Sequence, residues 1–309
     1  MSRNIVFMIL CAFTLWCGSA VAADNFISFD YPGATSTRAS GINADGMVVG
    51  QYLDSAGKQH GFFLFGGSFT TIDYPNAVAT GALGINSQGD IVGQYTADTS
   101  GDPAAIHGFL LQAGNFTALN VPGRLGMIAA RINDAGQITG CDHDHDMADS
   151  MHGVVYKNGT WTELSVGMSM GTGLLPDGSL AVGFYNYSTT SGHAYLTSGS
   201  DPIFFDFPFA GGSAAWDINP SGEIVGQYAD VTKVTHGFLL IPSAFDPTFG
   251  IAPVAGANPS FQFITIDYPG ATYTQAVGIN ASGHVVGSYR DSAGKQHSFL
   301  LMRGRSHRE

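Results

Sequence analysis

The chain has 309 residues, a formal net charge of −12, 42 glycines, 12% aromatic residues and only 12% charged residues. An acidic surface argues against nucleic acid or anionic lipid as the main partner, and this composition suits strands and tight turns, not helices. The cysteines are Cys11, Cys17 and Cys141, too few outside the N-terminal segment for a disulfide framework.

Along the chain, Arg3 precedes an apolar run over 5–17, and Ala20-Val21-Ala22 then offers a small-x-small cleavage site. This predicts a signal peptide over 1–22 and an exported product, extracellular or periplasmic. The run is short for a bilayer span, so no membrane span is expected after cleavage. Trp16 before Cys17 disfavours a lipid-attachment site.

From there one sentence recurs. It reads GINADGMVVGQY from Gly41, GINSQGDIVGQY from Gly84, RINDAGQITGCD from Arg131, GLLPDGSLAVGF from Gly173, DINPSGEIVGQY from Asp217 and GINASGHVVGSY from Gly278. A period in the forties with strand-like content marks a repeat architecture. In the second copy, strands are expected over 80–85, 90–96, 107–112 and 115–121. The turn Asn86-Ser87-Gln88-Gly89 joins the first two, because Asn tolerates and Gly readily adopts a positive φ. Pro122-Gly123 ends the fourth, since proline has no N–H for the ladder.

First-to-third strand sets fall near 37–66, 80–113, 127–158, 171–198, 214–241 and 275–302. Fourth strands follow the first five near 69–75, 116–122, 161–166, 203–208 and 263–269. The missing one lies at the other end of the chain, where FISFDYP over 26–32 matches FITIDYP over 263–269. The expectation is an all-β, six-bladed β-propeller over 23–309, built of four-stranded blades and closed by the N-terminal strand. DSAGKQH at both Asp54 and Asp291, and DYPGAT at both Asp30 and Asp267, make the first and last repeats the most alike, as neighbours in a ring. An open β-repeat solenoid is the alternative. The Pro-, Gly- and Ala-rich segment 242–262 reads as a surface insertion.

The units Gly-Ile-Asn-x-x-Gly, then Val-Val-Gly or Ile-Val-Gly, then His-Gly-Phe, resemble the HAF repeat of bacterial extracellular proteins. The third-strand openings are HGF at His60, His107 and His236, HGV at His152, HAY at His193 and HSF at His297. The resemblance covers nearly the whole chain after residue 22. It implies export from a bacterium and no defined activity, so no catalytic residue is carried over.

A residue needed once per repeat is needed to make a repeat, so the six histidines and the turn asparagines read as scaffold. Function is sought where one copy breaks the pattern. The third copy places Cys141-Asp142-His143-Asp144-His145-Asp146 before its third strand. Alternating aspartates can wrap calcium or another hard divalent cation, and the imidazoles suit a transition metal. The metal candidates are Asp142, Asp144, Asp146, His143 and His145. Cys141 reads as a small buried thiol, with nucleophile as the sharper option. Connections between repeats add Arg38, Arg124, Arg131, Trp216 and Tyr273 to the same face as ligand-binding candidates: arginine for carboxylates of an acidic sugar, aromatic planes for sugar rings. The leading functional expectation is a binding module for a glycan or another exported protein. A metal-assisted polysaccharide hydrolase or lyase and a passive envelope structural protein are the alternatives.

Overall fold

The computed structural model describes residues 25–100, 102–143, 151–185, 192–198, 201–242 and 261–303. A single strand, β1 (Phe26–Phe29), precedes the repeats. The first two repeats form β2 (Ser36–Ile42), β3 (Val48–Leu53), β4 (Gln59–Phe65) and β5 (Ser68–Ile72), then β6 (Ala79–Ile85), β7 (Ile91–Thr96), β8 (Ile106–Gln112) and β9 (Asn115–Leu119). The third and fourth form β10 (Gly126–Ile132), β11 (Ile138–His143), β12 (Met151–Lys157), β13 (Thr160–Leu174), β14 (Ala181–Tyr185), β15 (His193–Thr197) and β16 (Ile203–Phe205). The fifth forms β17 (Gly212–Ile218), β18 (Ile224–Ala229), β19 (Thr235–Pro242) and β20 (Phe261–Ile266), and the last forms β21 (Tyr273–Ile279), β22 (Val285–Arg290) and β23 (Gln296–Leu301). All pairings are antiparallel between sequence neighbours, save one. β1 pairs with β23, Phe26 opposite Leu301 and Phe29 opposite Ser298, and so completes a four-stranded sheet.

The middle of the chain departs from the sequence expectation. Separate strands were expected over 161–166 and from 171, but β13 runs unbroken from one sheet into the next. Its first half pairs with β12 and its second with β14, giving one seven-stranded sheet. Elsewhere a proline turn stops the fourth strand. Here no proline intervenes, and Gly167 (φ 76°) bends the strand without ending it. The expected insertion also shortens: Pro242 pairs with Phe261 and Ile241 with Gln262, so both ends of the 242–262 segment belong to strands. Residues 243–260, like the expected signal peptide, lie outside the described residues.

The repeated words now have physical reasons. Gly50 stands across the ladder from Phe62, and a Cβ there would meet the Phe62 ring at 2.6 Å. The glycine of Val-Val-Gly and the phenylalanine of His-Gly-Phe are thus one packing unit, and Phe62, Phe109, Phe238 and Phe299 are all wholly buried. Each turn asparagine does two jobs. Asn43 Oδ1 accepts from Asp45 N and Met47 N (3.1 and 2.9 Å), and its Nδ2 donates to Asn86 O (2.9 Å) in the next repeat. The relay runs on from Asn86 to Asn133 O and from Asn133 to Leu175 O, and likewise from Asn219 to Asn280 O and from Asn280 to Asn43 O. The last of these bonds joins the final repeat to the first.

The histidines pin the opposite end of each sheet. His60 Nδ1 lies 2.8 Å from Asp73 and its Nε2 3.4 Å from Asp54, while its ring stacks on Tyr52 at 5.0 Å. His236 and His297 repeat this with Asp267 and Asp230, and with Asp30 and Asp291. Tyr52 in turn stacks on Tyr31 (3.7 Å), as Tyr95 does on Tyr74, Tyr228 on Phe207 and Tyr289 on Tyr268. Apolar clusters fill the space between neighbouring sheets. One of them sets Val286 and Leu300 against Ile42 and Val48, again bringing the two ends of the chain together.

One connecting turn is strained. The position after the turn proline has a positive φ at Gly33, Asn76, Gly123 and Gly270, and Phe209 (φ 64°) holds it before β17. A left-handed conformation costs a residue with a Cβ about 1–2 kcal/mol, and the Phe209 side chain, 94% exposed, recovers nothing by packing. Glycine gives back about 0.5–1 kcal/mol through its freer unfolded chain. Phe209→Gly is therefore expected to stabilise the fold by up to about 1 kcal/mol in urea unfolding. A loss of stability would show that the phenylalanine is held by contacts.

Candidate functional site

In every repeat the first strand carries a β-bulge one residue before the Gly-Ile-Asn position. The register shifts between Ala39 and Gly41, Ala82 and Gly84, Ala129 and Arg131, Gly171 and Gly173, Ala215 and Asp217, and Ala276 and Gly278. A bulge re-aims side chains that alternation would send to opposite faces. The repeats thereby present two residues each, side by side, to a common central space. At the inner position four repeats have glycine, one has Arg131 and one has Asp217.

Those two charged groups meet. Arg131 Nε lies 3.4 Å from Asp217 Oδ2, and both side chains are about nine-tenths buried. The guanidinium also donates to four carbonyls: Nη1 to Leu83 O (2.7 Å) and Ala130 O (2.9 Å), Nη2 to Ser40 O (2.8 Å) and Val277 O (2.5 Å). Asp217 accepts from Ile279 N and Ile218 N (3.1 and 3.0 Å). Burial pushes the Asp217 carboxyl above the usual carboxylate range, and the Arg131 charge and the two N–H groups oppose that shift. Glycine on the neighbouring repeat makes the room, since a Cβ on Gly84 would come within 2.8 Å of Arg131 Cα.

Arg131 separates two cavities and, among the described residues, is the one that lines both. The smaller, about 120 Å³, is ringed by the turn asparagines. The larger, about 280 Å³, is walled by the early residues of the first strands and by the ends of second strands: Arg38, Gln51, Met170, Trp216, Gln227 and Tyr273 among them. Besides Arg131 Nε, which faces Asp217, three of its residues keep a buried polar atom without a hydrogen-bond partner: Gln51 Oε1, Gln227 Oε1 and Trp216 Nε1. Buried polar atoms are ordinarily satisfied. Three such atoms around one cavity leave hydrogen-bonding capacity for whatever fills it, water or a ligand.

Of the five ligand-binding candidates, Arg38, Trp216 and Tyr273 line this cavity and Arg131 is its floor. All four lie within first strands, not in the connections between repeats, because the strands begin earlier than their motifs do and the bulge turns the residues inward. Arg131 is also spoken for by its carbonyls and Asp217. Arg124 sits apart, 3.3 Å from Glu163 and 3.7 Å from the buried Asp142.

The metal candidates fare differently. Asp142 is the second-strand equivalent of Tyr52, Tyr95, Tyr228 and Tyr289, pairing across the ladder with His152 as Tyr52 does with His60. The third repeat has replaced a stacked ring pair with an ion pair: Asp142 Oδ1 faces Arg124 and His152 Nδ1 (3.2 Å). Burial raises its carboxyl, and Arg124 and His152 pull it back. His143 is buried in β11, its Nε2 3.8 Å from Cys141 Sγ, and burial lowers its affinity for a proton. Asp144, His145 and Asp146 lie outside the described residues. Among the described residues, no three His, Cys, Asp or Glu side chains are grouped to hold a metal ion. Cys141 is wholly buried among Ala130, Met170 and Phe184, and burial pushes its thiol up, away from the reactive thiolate.

Sequence reasoning missed Gln51, Gln227 and Asp217. The glutamines were hidden by repetition, as part of the recurring Gly-Gln-Tyr. Asp217 was visible: it breaks the glycine pattern at the register where Arg131 breaks it with the opposite charge.

No protein-family model matches this chain, and no curated protein matches it. Among solved structures it is similar to the putative TolB from Agrobacterium tumefaciens, with a TM-score of 0.52 and 14% identity over 86% of this chain and 90% of that one. It is also similar to a lectin from Aleuria aurantia in complex with Fucalpha1-6GlcNAc (TM-score 0.49, 13% identity, 88% and 93% covered). A third is the β-propeller domain of the Trilobed protease from Pyrococcus furiosus (TM-score 0.47, 9% identity, 87% and 96% covered). At such identities the likeness concerns the fold alone: the chain is an all-β, propeller-like protein of antiparallel sheets.

Proposed function

We propose that the six repeats are six blades of a ring closed by β1, and that the protein is an exported binding module whose site is the larger central cavity. Closure is supported by the β1–β23 pairing, the Asn280–Asn43 bond and the packing of Val286 on Ile42. An open solenoid has no reason to join its ends. Export and kinship with the HAF-repeat proteins rest on the N-terminal segment and the repeat motif. The observation that carries the binding reading is the trio of unpartnered polar atoms around a cavity with an aromatic wall.

A glycan suits that cavity. Sugar hydroxyls both donate and accept, so they can satisfy two amide oxygens and an indole N–H together, and the ring's apolar face can lie on Trp216. Among the described residues no carboxylate lines the cavity, and Gln51, Gln227 and Trp216 offer hydrogen bonds in their place.

A glycan array probed with the full exported chain is expected to yield binders. Trp216→Ala, with its circular dichroism unchanged, is expected to weaken them by about 2 kcal/mol, the loss typical of a central aromatic anchor. Turnover of a polysaccharide with no binder on the array would overturn the proposal.

A further inference from the structure

We infer that the larger cavity receives the end of an acidic glycan, one carboxylated sugar ring deep, and not the interior of a chain. This rests on the glycan-binding reading above and adds which sugar and which part of it.

The depth is limited by Arg131. Its guanidinium crosses the central space, anchored on carbonyls from four first strands and ion-paired to a fifth. Each of these bonds would have to break for a chain to thread past. The cavity is therefore blind at its inner end. Trp216, the residue before Asp217, stands at that inner end, whereas Arg38 lies further out along its strand. About 280 Å³ is at the small end of ligand pockets and suits a single ring. A polymer lying across the mouth would leave Trp216 untouched, so the group that reaches it must come end first.

The charge points to a carboxylate. Arg38 and Arg131 are the two charged residues among those lining the cavity. Arg131 is matched by Asp217. Arg38 is exposed and makes no ion pair among the described residues. In a chain of formal charge −12 the mouth of this cavity thus keeps, among the described residues, an unmatched guanidinium. A guanidinium presents a planar fork that holds a carboxylate with two parallel hydrogen bonds. With hydroxyls for Gln51, Gln227 and Trp216 beneath it, the ligand is a polyhydroxylated ring bearing a carboxylate, a uronic acid. The same chemistry is offered by a free sugar acid and by the terminal residue of a polyuronide.

The test is titration of the full exported chain, followed by calorimetry and tryptophan fluorescence, with glucuronic acid, glucose, a short oligouronide and a long polyuronide. Glucuronate is expected to bind at least about tenfold more tightly than glucose, the gain of a charge-assisted bond. Arg38→Gln, an exposed substitution that should leave the melting temperature unchanged, is expected to erase that difference. The short and long uronides are expected to half-saturate at the same concentration of chain ends. A stronger response to either of them than to the free acid identifies the chain end as the source, and an equal one the ring alone.

Half-saturation that follows total sugar residues instead of ends would overturn end-on binding. Equal affinity for glucose and glucuronate would overturn the role of Arg38. Trp216-dependent binding of neutral sugars only would sink this inference and leave the glycan reading standing. Failure of every sugar would remove both.

Discussion

Arg131→Gly is expected to destabilise the protein by about 3–5 kcal/mol, the cost of stranding a buried partner charge. Glycine is the residue that four repeats already have at this register, so the backbone accepts it without strain. What is lost is the cation that faces Asp217 and four carbonyls at once. The pH dependence distinguishes this from a simple packing loss. Burial already holds the Asp217 carboxyl above its ordinary range, with Arg131 the largest opposing influence. Without Arg131 the folded-state value rises further above the unfolded one. A group raised in the folded state supports stability below its unfolded value, about 4, and loses that support as pH rises through the folded value. The deficit of Arg131→Gly should therefore be smallest near pH 4 and grow towards neutral pH. Adding Asp217→Gly removes the stranded carboxylate and should recover part of the loss and flatten the pH dependence. Urea unfolding of the parent, the single and the double variant at two pH values decides it. A single variant as stable as the parent at both would show that the central pair holds nothing together.

Removing residues 25–32 is expected to cost at least about 3 kcal/mol, since two half-buried phenylalanines, Phe26 and Phe29, leave with it and a fully buried one alone costs about 3–5 kcal/mol. Phe26 packs edge-on against Tyr268 (5.4 Å) and Phe299 (5.3 Å). Ser28 Oγ shares a hydrogen bond with Tyr289 Oη (2.8 Å), and Asp30 meets His297 (2.8 Å), both partners on the last repeat. Tyr31 meanwhile stacks on Tyr52 and shares a hydrogen bond with Thr71 (2.7 Å) in the first. One short segment thus holds both ends of the repeat array. Its loss also bares the edge of β23, an invitation to aggregate. The truncated chain is expected to unfold at much lower urea and to regain its midpoint when a peptide of residues 25–32 is supplied. An unchanged midpoint after truncation would mean that the ends of the array do not depend on each other, as in an open solenoid.

Much of the fold was legible because its determinants are local. Asn86 and Gly89 announce a turn through their backbone preferences, and the Asp30-Tyr31-Pro32 match to Asp267-Tyr268-Pro269 named the strand that joins the two ends. The unbroken β13 was less legible, since it depends on a proline that is missing and not on a residue that is present. The surroundings of Asp142 were hidden for a related reason. Next to His143 and Asp144 it looks like one of a string of ligands, but strand alternation sends Asp142 towards His152 and Arg124 while Cys141 and His143 face the other way.

By itself the sequence determined the turns and, outside β13, the strands and the order in which neighbours pair, because backbone preference and hydrophobic alternation act between near neighbours. Only the tertiary structure decided the site. Arg38 and Gln51 face each other across one ladder of the first repeat, and Trp216 and Gln227 belong to the fifth, so no local signal joins the two pairs. They meet because each first strand has a bulge that turns consecutive side chains to the centre, and because Arg131 finds Asp217 across that centre and closes it.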